Sequence, residues 1–118
     1  MANMCHNYVE IEASAEDGGE EQIRALFELV GKEFDFNKII PAKDLDRADT
    51  IEAWGCQSIG FDVDYHEQSK DCHEWYFWTK WVPPVRIYEK LCEMFPNVLI
   101  SWKHEVSNGH SGDLSEGY

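Results

Sequence analysis

The chain has 118 residues, and its 23 Asp and Glu outnumber 10 Lys and Arg, for a formal net charge of -13. A length in the roughly 100–150 residue range suits one hydrophobic core, and 43% hydrophobic with 14% aromatic content excludes a disordered acidic tail. No apolar run reaches the roughly 18 residues that would cross a bilayer.

Tyr8 to Ala13 alternates apolar and polar residues, the period of a strand with one buried face; Val9, Ile11 and Ala13 point inward. Ser14 to Gly19 is a polar break. Ile23, Leu26, Phe27 and Val30 then form the stripe of an amphipathic helix, with Glu20 and Glu21 in its first turn, where they complement the helix dipole. Gly31 and Lys32 suit its end. Phe34 to Pro41 is a compact apolar segment, and Leu45, Ala48, Ile51 and Trp54 are spaced like a short helix lying on the core.

Ile59 to Tyr65 alternates as a second strand, and Glu67 to Cys72 is polar turn material. Trp75 to Trp81 is a third strand, with Trp75, Phe77, Thr79 and Trp81 on one side. Pro83-Pro84 stops it and opens a helix carrying Val85, Tyr88, Leu91, Cys92 and Phe95 on one stripe. Asn97 to Lys103 is a fourth strand. This β-α-β-β-α-β order predicts a ferredoxin-like α+β fold: a four-stranded antiparallel sheet, two helices on one face, and a long insertion after the first helix. One domain over 1–106 is expected, with 107–118 a flexible or loop-rich segment. The opposite sheet face is left open unless the insertion covers it.

Several runs carry a family resemblance. Met1-Ala2-Asn3-Met4-Cys5-His6-Asn7, Phe34-Asp35-Phe36-Asn37-Lys38-Ile39-Ile40-Pro41, Trp54-Gly55, Thr79-Lys80-Trp81-Val82-Pro83-Pro84 and Met94-Phe95-Pro96 resemble, in order, motifs of the YubB ferredoxin-like domain family. The family pattern has Trp where Met4 stands, Ala where Lys80 stands, and a longer polar-aromatic run after Trp54-Gly55. The resemblance implies the fold and an origin in plasmids or bacteriophages. It brings no catalytic residues. Its motifs read as structural: Asn37 and Lys38 bonding strand ends, Ile39 and Ile40 plugging the core, and the two prolines fixing a corner.

The chemistry-bearing residues form no catalytic signature. Cys5-His6 and Cys72-His73 are adjacent pairs, whose side chains point to opposite faces of an extended chain and cannot both reach one ion. A thiolate nucleophile needs an electropositive setting, and Asp71 and Glu74 beside Cys72 oppose one. The acidic Asp17-Gly18-Gly19-Glu20 turn repels anions. No enzyme, cofactor or metal is expected. The first residues lack the basic flank and apolar run of a secretory signal, so a cytoplasmic location in a host cell is expected, with its four cysteines reduced.

The acids themselves are the remaining signal. Glu10 with Glu12 and Asp62 with Asp64 each share a strand face about 6.5–7 Å apart, with Trp78 and Tyr76 nearby on the third strand. Glu16, Asp17, Glu20, Glu21, Asp44, Asp46 and Asp49 flank them. Such carboxylates repel nucleic acid, so direct binding on the open sheet is not expected. They suit a groove lined by Lys and Arg that normally tracks phosphates. The expected role is a non-enzymatic inhibitor, favoured as a monomer, that docks on the basic nucleic-acid site of a host defence complex, such as a CRISPR surveillance complex, as DNA-mimicking anti-CRISPR proteins do. The alternatives are a structural or self-associating accessory protein that pairs through exposed aromatics, an acidity that serves solubility alone, and a zinc-dependent activity.

Overall fold

A computed structural model describes residues 4–14, 18–42, 47–56, 58–106 and 111–114, with the backbone alone at 47–49. Strand β1 (Met4–Ala13) keeps the two-residue period: Cys5, Asn7, Val9 and Ile11 are fully enclosed, and the residues between them are not. It is flanked by β3 (Cys72–Lys80) and β4 (Val98–Val106), both antiparallel to it. Strand β2 (Phe61–Ser69) pairs with the outer side of β3, and β5 (Ser111–Asp113) with the outer side of β4, giving the order β2-β3-β1-β4-β5. The helices among the described residues are α1 (Gly19–Val30), α2 (Phe36–Ile39), α3 (Arg47–Trp54) and α4 (Val85–Met94).

Five antiparallel strands and four helices correct the ferredoxin-like expectation of four strands and two helices. The difference lies in two stretches. The insertion folds into α2 and α3, with Asp35 capping α2 through the Asn37 N–H at 3.0 Å. Within 107–118, where a loose segment is expected, Ser111 to Asp113 pair with Glu105 to Lys103, and Leu114 is buried. Backbone pairing needs no apolar alternation, so periodicity did not mark this strand. Gly112 permits it, since a Cβ there would approach His104 Nε2 to 2.9 Å. Residues 107–110 and 115–118 lie outside the described ones.

Smaller corrections follow the same physics. The β2–β3 hairpin continues through Glu67 to Ser69, expected as turn, because cross-strand partners compensate for its polarity. Trp81 does not join Trp75, Phe77 and Thr79. It lies past the strand end at φ 70° and is 39% exposed, where Val82 N–H bonds Lys80 C=O in a tight turn. Among the described side chains of α3, Thr50 and Trp54 point inward while Ile51 is 41% exposed; Leu45 and the Ala48 side chain lie outside the described residues. In α4 the enclosed residues are Ile87 and Leu91.

All four helices contribute to one core on the same side of the sheet: Ile23, Leu26 and Val30 of α1, Phe36 and Ile39 of α2, Trp54 of α3, and Ile87 and Leu91 of α4 meet Val9, Ile11, Trp75, Phe77 and Trp102. Phe34, at φ 50°, wedges among Trp75, Phe77 and Trp102 with ring centroids 5.1–5.6 Å away. A left-handed backbone is costly for a bulky residue, and the aromatic contacts offset it. Three fully buried indoles each donate: Trp54 to Ile40 C=O at 2.7 Å, Trp75 to Gly31 C=O at 3.2 Å, and Trp102 to Asn7 Oδ1 at 3.0 Å. Asn7 in turn donates to Thr79 Oγ1 at 3.0 Å, and Thr79 donates to Val82 C=O at 2.8 Å.

Replacing Asn7 with Leu keeps the branched side-chain shape but strands the Trp102 N–H in the core, and lowers the unfolding free energy by about 1–3 kcal/mol, read from urea unfolding.

Candidate functional site: the uncovered face of the sheet

Because the helices all pack on one side, alternation sends the other half of every strand to the opposite face. The pairing register arranges these residues in rows. One row runs Asp64, Tyr76, Tyr8, Lys103; the next runs His66, Glu74, Glu10, Ser101. His6 lies between Trp78 and Glu105, and Glu12 between Cys72 and Leu99. Partners directly opposite point the same way, so the rows are neighbours in space.

On β1 to β4 this face carries Glu10, Glu12, Asp62, Asp64 and Glu105, with Glu74 buried among its neighbours, against Lys80 and Lys103. Among the described residues none of the six acids forms an ion pair with Lys or Arg. His66 Nε2 lies 3.1 Å from Asp64 Oδ2. Glu10 and Glu74 stand directly opposite each other, an arrangement that like charges disfavour. Hydrogen bonds hold them there. The Tyr8 hydroxyl reaches Glu10 Oε2 at 3.0 Å and also Glu74 Oε2, and Gln68 Nε2 donates to Glu74 Oε1. Burial, then hydrogen bonding to Glu74 and Glu10, pushes the Tyr8 phenol far above its ordinary range, so it stays a neutral donor.

The face is also aromatic. Tyr8 and Tyr76 rings are 4.8 Å apart, and His6 lies 4.8 Å from Trp78. Trp78 is 36% exposed and Leu99 59%. Around Trp78, at the other end of the face from Leu99, it and His6, Asp62, Asp64, His66 and Tyr76 line an open cavity of about 460 Å³. A second hollow lies toward β5, between His6, Tyr8, Lys103 and Asp113.

The thiols are placed for burial. Burial pushes Cys5 up to about 11 and Cys56 up to about 12, beyond what hydrogen bonds to Thr79, Glu105 and Ser58 offset. Cys72 sits on the acidic face, and burial, then Glu10, Glu12 and Glu74, raise its thiol as well. Cys5 points into the core while His6 faces outward, and among the described residues no three His, Cys, Asp or Glu are grouped to hold a metal ion.

Of the acids singled out from sequence, the sheet brings together Glu10, Glu12, Asp62 and Asp64, with Trp78 beside them. Glu20 and Glu21 are exposed on α1, in the helix layer, and do not join that face. Glu16, Asp17, Asp44 and Asp46 lie outside the described residues; Asp49 belongs to α3, its side chain likewise outside them. Sequence reading missed Glu74 and Glu105. Glu74 falls in the stretch next to the expected turn, and Glu105 past the expected strand end at Lys103. Their parity with Tyr76 and Lys103 was the available signal. Comparison with protein-family models, curated proteins and solved structures gave no match to this chain.

Glu74→Gln removes the cross-strand repulsion, and its new amide can donate to the Tyr8 oxygen while Tyr8 donates to Glu10. It raises the unfolding free energy by about 0.5 kcal/mol, measured by urea unfolding at low salt.

Proposed function

We propose that this is a non-enzymatic acidic binding protein of bacteriophage or mobile-element origin. Its uncovered face acts as an anti-CRISPR-type mimic of DNA and occupies the basic nucleic-acid site of a host defence complex. The carrying observation is the surplus of carboxylates on one rigid face, without Lys or Arg ion pairs among the described residues. A polyanion mimic needs negative groups in fixed relative positions, and a hydrogen-bonded sheet supplies that spacing. Unneutralised acids also speed encounter with a basic partner at low salt. The mobile-element origin rests on the resemblance of the Phe34–Pro41 and Thr79–Pro84 runs to YubB domains.

The second reading, self-association, is favoured by one observation: Trp78 and Leu99 are exposed on this same face. Stacking two copies face to face would bring acidic rows together, which opposes a flat dimer.

The protein is expected to block DNA binding by a susceptible CRISPR surveillance complex, and charge reversal at Glu10, Glu12, Asp62 and Asp64 abolishes the block in a competition assay. The reading is rejected if DNA binding by candidate complexes is untouched and the reversed variant alters no interaction in host lysate. Sedimentation across salt concentrations separates the second reading: partner binding through acids weakens as salt rises, whereas an apolar dimer persists.

A further inference from the structure

We infer that the cavity between β2 and β3 on the uncovered face is a receptor for one arginine side chain of a basic partner; this rests on the proposed docking of such a partner. Tyr76 and Trp78 are two residues apart on β3 and share its outer face. His6 of β1 lies against both, at 4.8 Å from the Trp78 ring and 6.0 Å and 19° from the Tyr76 ring. His66 meets Tyr76 edge-on at 5.8 Å and 84°. These rings make one wall. Asp62 and Asp64 of β2 line the cavity with them.

Aromatic faces are negative, and carboxylates beside them exclude an anion while satisfying a cation. No Lys or Arg is among the described residues that line the cavity. The His and Asp side chains there do not form a metal-holding group among the described residues. This lining suits an organic cation that can lie flat on a ring and donate to a carboxylate: Asp62, or Asp64 beside its 3.1 Å contact with His66. A guanidinium does both: it is planar, weakly hydrated, and donates in a fork that matches a carboxylate. A lysine ammonium is a compact, strongly hydrated point charge and gains less from the rings. The strand geometry serves this site as well. Asp62, at φ 53°, sits where the β2–β3 register breaks between Phe61 and Asp64, a conformation that Asp tolerates better than most residues.

Labelled hexa-arginine and hexa-lysine peptides carry equal charge, so their affinities for the full chain, read by fluorescence anisotropy at low salt, separate a shaped receptor from bulk charge. Hexa-arginine is expected to bind about fivefold more tightly, as a stacked cation at a partly exposed ring allows. Trp78→Ala and Asp62→Asn each bring the ratio close to one, and Trp78→Phe retains most of it. Charge reversal at Glu10 and Glu12, outside the cavity, weakens both peptides alike and preserves the ratio. Circular dichroism checks that each variant is folded. Equal, tight binding of both peptides by the unmodified protein overturns the arginine receptor and leaves acidic docking standing, as does a preference that survives both Trp78→Ala and Asp62→Asn. Failure of both peptides to bind at low salt overturns the two together.

Discussion

Three enclosed indole N–H groups impose the constraint on which the fold depends. A buried N–H without an acceptor costs roughly 1–3 kcal/mol, so each tryptophan can be buried only where an oxygen meets it. Trp75 finds Gly31 C=O at the end of α1, Trp54 finds Ile40 C=O just after α2, and Trp102 finds the Asn7 side chain inside the sheet. The first ties the sheet to the helix layer, the second joins α3 to the end of α2, and the third links two strands within the sheet. Gly31, at φ 67°, donates its own N–H to Phe27 C=O, ending α1 in a backbone geometry that suits glycine. Thus the aromatic content supplies hydrophobic burial, and its polar edges fix where the connecting segments lie.

One consequence is an asymmetric sheet. The helix layer takes every large aromatic core residue on one side, leaving the other side to Tyr8, Tyr76, Trp78 and the acids. Neighbouring carboxylates on that side cost stability through repulsion, most plainly at the facing Glu10 and Glu74. Tyr8 and Gln68 hydrogen bonds offset part of that cost and hold the carboxylates in position. A protein that needed acidity only for solubility could place it on mobile side chains anywhere; here part of it is held in a hydrogen-bonded cluster.

Much of this was legible in the residues. The alternation of Val9 and Ile11, or of Trp75 and Phe77, reports directly which side of a strand is covered, because side chains alternate strictly. The same parity put Glu10, Glu12, Asp62, Asp64, Tyr76 and Trp78 on the other face. Other features were not legible. Trp81 continues the parity of Trp75 and Phe77, yet the chain turns at that residue before Pro83 and leaves it half exposed. Ile51 has helical spacing with Trp54, but α3 turns Thr50 inward instead. Strand β5 has no pattern to read, since Ser111-Gly112-Asp113 joins by backbone bonds and by a glycine that fits against His104.

By itself the sequence determined the periodic elements, the acidity and the sidedness of the inner strands, because periodicity and charge are local properties of the chain. Only the tertiary structure decided that α2 and β5 exist, that Glu20 and Glu21 sit in the helix layer away from Glu10 and Glu12, and how far β3 and β4 run past their expected ends to bring Glu74 and Glu105 into the rows. Those outcomes depend on which strand lies beside which and in what register. Local alternation gives the face a residue takes, but which strand lies beside which is set by pairing over long separations in the chain.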